Sequence, residues 1–167
     1  SLCLIFALAV GTTFALLKAN TEPVTNTFTA AKSDIKIDEN VENGEKSSIQ
    51  VENIGTATSY VRVKLVMNWV DKSGNVVSGG NLPEVTLNEP DWFMKDGIYY
   101  YTKPVGPKDL TANLLKDPIT QPNAPDGYHL EVTVLAESIQ AAPSTAVEGA
   151  WAVTVVNGAL TSAIPTA

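Results

Sequence analysis

Tyr60-Val61-Arg62-Val63-Lys64-Leu65-Val66-Met67-Asn68-Trp69 decides the fold. Its apolar side chains recur at every second position. Val61, Val63, Leu65, Met67 and Trp69 fall on one face, and Tyr60, Arg62, Lys64 and Asn68 fall on the other. Successive side chains of an extended chain point to opposite faces, so this period of two predicts a β-strand with one face buried.

The same pattern recurs on both sides of that segment. Tyr128 to Gln140 turns Leu130, Val132, Val134 and Ala136 inward and His129, Glu131, Thr133 and Glu137 outward. Asp34 to Asp38 offers Ile35 and Ile37, Ser48 to Ile54 offers Ile49 and Val51, and Ile98 to Thr102 is a Tyr-rich strand. Asn43-Gly44, Ser73-Gly74-Asn75, Asp96-Gly97 and Asp126-Gly127 punctuate the strands with residues that tolerate positive φ. Asp71 to Asn75 reads as a hairpin tip. Short strands with regular turns predict an all-β, antiparallel β-sandwich over residues 30–157, with short helical turns. The proline-rich stretch 103–126 is the longest irregular part, with a short strand expected at Leu110 to Leu115. Ser144 to Ala152 predicts the one helix, with Ser144 as its cap, and Val153 to Val156 reads equally as strand. Residues 158–167 read as a flexible tail.

Ahead of these strands stands Leu2-Cys3-Leu4-Ile5-Phe6-Ala7-Leu8-Ala9-Val10, an apolar run with the length of a signal-peptide core. Small residues then lead to Thr13-Phe14-Ala15, a small-x-small site that marks Thr13 and Ala15 as the cleavage residues. Residues 1–15 therefore read as an N-terminal hydrophobic signal helix. A signal peptide ordinarily opens on basic residues and none precede this run, so its start is expected upstream of Ser1. The rival reading is a retained anchor, although a spanning helix needs roughly 20 apolar residues. Residues 16–29 follow as a separate segment.

Composition narrows the function. Removing the signal leaves about 150 residues, enough for one domain with its own core. The single cysteine, Cys3, lies in the signal, so the exported part has no disulfide, thiol nucleophile or thiolate metal site. A net charge of −7 disfavours nucleic acid, which is held by Lys and Arg.

Catalytic chemistry finds little support. The one histidine, His129, sits on the outward face of a strand beside Glu131, without the paired-histidine motif of zinc hydrolases or a G-x-S-x-G nucleophile turn. Asp34, Asp38, Glu39, Glu42 and Glu45 form an acidic cluster, but Lys36 and Lys46 interrupt it and its spacing matches no calcium loop. It reads as a solvated loop. Tyr99 and Tyr101, with Trp92 nearby, form a candidate surface for binding sugars. Alternation sends Tyr100 to the opposite face, so ordinary packing accounts for at least part of the cluster. Trp69 reads as core, and Trp151 as the residue packing the terminal turn onto the body. No cofactor site is read, and the chain is not expected to be an enzyme.

Several stretches together resemble a known family. Gly11-Thr12-Thr13-Phe14-Ala15, followed by Val24-Thr25-Asn26-Thr27-Phe28-Thr29, is similar to the export region of proteins processed by the signal peptidase SipW. That family of Gram-positive biofilm matrix proteins comprises the TasA, camelysin and BsaA-like groups. Val51-Glu52-Asn53-Ile54-Gly55-Thr56 before Tyr60 resembles its N-x-G segment. Asp96-Gly97-Ile98-Tyr99-Tyr100-Tyr101 with Lys103-Pro104-Val105, and Ala146-Val147-Glu148-Gly149-Ala150-Trp151, resemble its BsaA-like branch. Two features depart from it: Leu16-Leu17-Lys18-Ala19 replaces a Tyr and acidic residues, and Gly106-Pro107 stands where Pro-Gly is expected.

The resemblance implies a secreted, jelly-roll-like fold that self-assembles into extracellular fibres, with the N-terminal segment of one subunit completing the sheet of the next. The implied partners are other copies of the chain, SipW during export, and other matrix proteins or polysaccharide. Membrane contact would end at signal cleavage. The candidate donor is Leu16 to Thr29, with Val24, Thr25, Asn26, Thr27, Phe28 and Thr29 as its assembly strand. Fully extended, it spans at most roughly 45 Å. Two readings of this segment stand: a strand given to a neighbour, or the first strand of its own domain. Two functional alternatives also stand. One is a surface adhesin or carbohydrate-binding module; the other, implied by camelysin, is a secreted metalloprotease.

Overall fold

The computed structural model describes residues 35–42, 45–78, 80–121 and 124–162. Within them the chain is all-β with antiparallel pairing and one helix. The elements are β1 (Ile35–Glu42), β2 (Glu45–Asn53), β3 (Ser59–Val70), β4 (Val76–Val77), β5 (Trp92–Lys95), β6 (Ile98–Tyr101), β7 (His129–Gln140), α1 (Ser144–Trp151), β8 (Thr154–Val156) and β9 (Ala159–Thr161).

β3 is the spine. It pairs with β7 from Ser59↔Gln140 to Val70↔His129 without interruption. On its other side it meets β6 at Arg62 and Val63, and β4 at Trp69 and Val70. β5 closes onto β6 through Asp96-Gly97, both with positive φ (53° and 74°), as a two-residue type I′ hairpin requires. The predicted hairpin tip is also formed: Asp71 accepts a bond from the Asn75 side chain at 3.0 Å and backbone bonds from Asn75 and Ser73 at 2.9 and 2.8 Å, and these, the Asn75 side chain foremost, pull its carboxyl below the usual range.

β1 and β2 form the second sheet. An irregular run extends it past β2. Asn53 N–H bonds Asp109 O, Thr111 N–H bonds Val51 O, Leu114 N–H bonds Ile49 O, and Ile119 exchanges two bonds with Lys46. The strand expected at Leu110 to Leu115 is corrected here to two isolated bridges, Glu52↔Leu110 and Leu87↔Leu115. The Asn113 side chain explains the break. Its Oδ1 accepts Ile49 N–H at 2.9 Å and its Nδ2 donates to Ser47 O at 3.1 Å, so a side chain stands where main chain would continue the ladder.

The two sheets share one core. Ile35, Ile49 and Val51 meet Val61, Val63, Val134 and Ala136, with Leu114, Leu115 and Ile119 from the irregular run. Trp69 is buried farther along β3. Gly80, at φ +84°, passes so close that a Cβ there would stand 2.9 Å from the Trp69 Nε1.

A second core corrects the reading of Tyr60 as outward-facing. Tyr60 is 2 % exposed, because α1 and the β8–β9 hairpin cover that end of the outer face. Val147, Trp151, Val153 and Leu160 pack there against Tyr60 and Tyr100. Two terminal expectations change with it. Residues 158–162 are no free tail: β9 pairs with β8, Leu160 is buried, and its N–H bonds Thr102 O at 2.8 Å. Ser144 is not the helix cap either. Pro143 holds that position in an extended conformation, without a side-chain bond.

Candidate functional site

The predicted cleavage residues Thr13 and Ala15, the assembly strand Val24 to Thr29, and Asp34 lie outside the described residues. The other predicted site residues have definite places. Trp92 and Tyr101 are cross-strand partners on β5 and β6, with ring centroids 5.1 Å apart. Trp92 is 1 % exposed and its indole N–H donates to Ala112 O at 3.1 Å; Tyr101 is 8 % exposed. Tyr99 packs against the same core, and that burial raises its hydroxyl pKa. The candidate sugar-binding surface is thereby corrected for two of its three residues: Trp92 and Tyr101 are buried between the sheets, and Tyr99 is half-buried against the same core. Tyr100, on the opposite face, stacks on Phe93 and meets Trp151 edge-on.

The acidic cluster is split over two strands. Asp38 and Glu39 are neighbours on β1 and so point to opposite faces, and Glu45 opens β2 opposite Glu42 at the end of β1. Among the described residues, no group of three His, Cys, Asp or Glu could share a metal ion. His129 is exposed at the start of β7, opposite Val70. A cleft of about 310 Å³ beside Trp69 is lined in part by Asn81, Glu84, Thr120 and Gln121, but Trp69 is itself buried there. Among the described residues, no helix is long and apolar enough to cross a membrane.

What the fold does bring together is a pair of strands that each have one strand partner among the described residues. β7 has twelve residues, and β3 is its only partner among the described strands. Leu130 N–H donates to the Gln121 side chain at 2.9 Å, and Val132 O accepts from Lys46 Nζ at 3.3 Å. Both groups therefore point away from β3. N–H and C=O groups alternate sides along a strand, so Val134 and Ala136 direct theirs the same way. β1 is the second such strand. Among the described strands it pairs with β2 alone, and it contacts β7. The two edges thus run along one side of the molecule, with core side chains behind them.

Lys46 bridges this side. It is 8 % exposed on β2, and its ammonium lies 2.7 Å from Glu39 Oε2 on β1 as well as against Val132 O on β7. Sequence reasoning placed Lys46 in a solvated acidic loop. A lysine beside acidic residues carries no signal that it turns inward, and only the meeting of three strands reveals it.

The N-x-G segment has a structural role. Asn53 is fully buried. Its Nδ2 donates to Ala57 O and Val105 O, each at 2.8 Å, and its Oδ1 accepts Gly55 N–H at 3.0 Å. It thus folds the β2–β3 connection and ties it to the irregular run. No protein-family model, no curated protein and no solved structure matches the chain.

Proposed function

We propose that this chain is a secreted structural protein of an extracellular biofilm matrix, processed by SipW, that self-assembles into fibres by β-strand addition. The observation that carries the reading is that β7 and β1, which contact each other, each have a single strand partner among the described residues, so that each presents an edge there. An unpaired edge is a template for another strand, and proteins that remain monomeric ordinarily blunt it. The Val24 to Thr29 segment supplies an alternating, β-branched strand of suitable chemistry. The arrangement of β1 and β2 over the β3–β7 sheet fits a jelly-roll-like sandwich, and the apolar run before Ala15 fits an export signal.

Under this reading, cleavage after Ala15 frees the segment, so assembly waits for export. The adhesin alternative loses its strongest support with the burial of Trp92 and Tyr101. The test is N-terminal sequencing of the secreted protein, with negative-stain microscopy of the protein with and without residues 16–29. The expected result is a new N-terminus at Leu16, filaments from the processed protein, and a folded monomer after the deletion. Filaments from the deleted protein would overturn the reading.

A further inference from the structure

Trp69 carries a polar group that the fold does not use. Trp92 and Trp69 are both buried, and the Trp92 indole N–H donates to Ala112 O at 3.1 Å. Among the described residues, the Trp69 Nε1 is a buried side-chain donor with no hydrogen-bond partner. A buried indole N–H ordinarily finds an acceptor, and leaving it unpaired costs at least as much as a lost hydrogen bond. Such a group calls for an explanation, and a ligand that brings the acceptor is one. Trp69 also forms part of the wall of the cleft of about 310 Å³, together with Asn81, Glu84, Thr120, Pro83 and Pro118. Gly80, next to Asn81, stands against the N–H: a Cβ there would lie 2.9 Å from Nε1. The donor therefore sits at the Gly80 end of the cleft wall, behind bare main chain.

We infer that this cleft binds a neutral sugar unit, with the Trp69 indole N–H as a donor to it. The inference goes beyond the strand-addition reading and does not depend on it. The volume lies at the low end for small-molecule sites and suits a single ring. The lining chemistry selects the class. Trp69 only donates, the Glu84 carboxylate only accepts, and the Asn81 amide and Thr120 hydroxyl do both. Sugar hydroxyls also do both, so one ring can answer all four groups. Pro83 and Pro118 offer apolar surface to its C–H faces. Glu84 opposes an anionic ligand such as a phosphate or a uronate. Gly80 is exposed and has no side chain, so a small outward movement of its main chain presents the N–H to the ring.

The experiment is nuclear magnetic resonance of the full chain with nitrogen-15-labelled tryptophan, titrated with glucose, galactose, mannose and N-acetylglucosamine. At least one of them should move the Trp69 indole resonance downfield, saturably, with half of the effect at about 1 mM. The Trp92 indole, already bonded to Ala112 O, should stay in place. Glucuronate should leave Trp69 unmoved in the parent and move it in Glu84→Gln, which keeps an acceptor and removes the charge. Glu84 is exposed, so this variant leaves the fold intact. Trp69→Phe keeps a buried ring without the donor, and calorimetry should show its affinity for the same sugar reduced tenfold or more. Gly80→Ala, whose Cβ covers the N–H, should weaken binding as well. Unchanged affinity in Trp69→Phe, or equal movement by glucuronate in the parent, would overturn the proposal. So would a Trp69 resonance that none of the four sugars moves at about 20 mM, well above that midpoint. Movement by tetraproline alone would overturn it too, by making the cleft a peptide site.

Discussion

Tyr60 obeys the alternation of its strand and is buried all the same. It lies on the face opposite Val61 and Val63, yet α1 and β9 cover it, and its hydroxyl donates to Gly158 O at 3.1 Å. Burial, reinforced by the nearby Glu148 carboxylate, pushes its pKa above the ordinary phenol value near 10. Because the folded state favours the neutral phenol, this residue's pH-linked stabilisation is complete below about pH 10 and is lost as pH rises through the higher folded value. Tyr60→Phe should cost about 1 kcal/mol at neutral pH through the missing hydrogen bond. It should also flatten the alkaline fall in stability. Urea midpoints measured from about pH 8 to about pH 11 would show the variant losing less than the parent above pH 10. Parallel curves would count against it. Tyr99, also raised by burial, should keep its own alkaline contribution in both proteins.

Among the elements, the β5–β6 hairpin does most to join the two cores. Trp92 and Tyr101 enter the inter-sheet core from it, and Phe93 and Tyr100 enter the core beneath α1. Its turn depends on Gly97 at φ +74°. No atom lies within 4 Å of a Cβ built on Gly97, so a larger residue there meets backbone strain without a packing clash. Gly97→Val should cost about 1–2 kcal/mol and lower the melting temperature by several degrees. Near-ultraviolet circular dichroism should show tryptophan and tyrosine signals lost together, since both cores hang on one turn. This hairpin was legible in the sequence, because Asp-Gly between alternating strands is a local signal. So were β3 and β7, whose period is long enough to read. What covers a strand's outer face is not local, so α1 over Tyr60 could not be read from alternation. β9 was missed because three residues with one buried leucine show no period. The irregular run along β2 was missed because the Asn113 side chain replaces main chain in the ladder. At the candidate site, the aromatic residues of β5 and β6 were visible in the sequence but their accessibility was not. Lys46 was hidden because it lies on β2 and its two side-chain partners come from β1 and β7.

At the scale of the whole molecule, charge opposes association. The chain carries −7 overall, and residues 1–15 contain no charged side chain, so cleavage after Ala15 would leave that value unchanged. Strand addition gains neutral backbone hydrogen bonds and apolar contact, neither of which depends strongly on salt. The opposing repulsion does depend on it: the screening length falls from roughly 30 Å at 0.01 M to roughly 8 Å at 0.15 M ionic strength. Assembly of the processed protein should therefore accelerate across that range, by about tenfold, given the potentials a surface of one predominant sign sustains. The Lys46–Glu39 pair should respond much less, since the Lys46 ammonium is buried and such pairs are weakly screened. Light scattering of purified protein at the two salt concentrations would follow assembly, and urea denaturation of unassembled protein would follow the fold. A faster rate with an unchanged midpoint is the expected outcome. A rate that falls with salt would mean that copies attract one another through complementary charge, so that steering rather than an open edge governs their encounter.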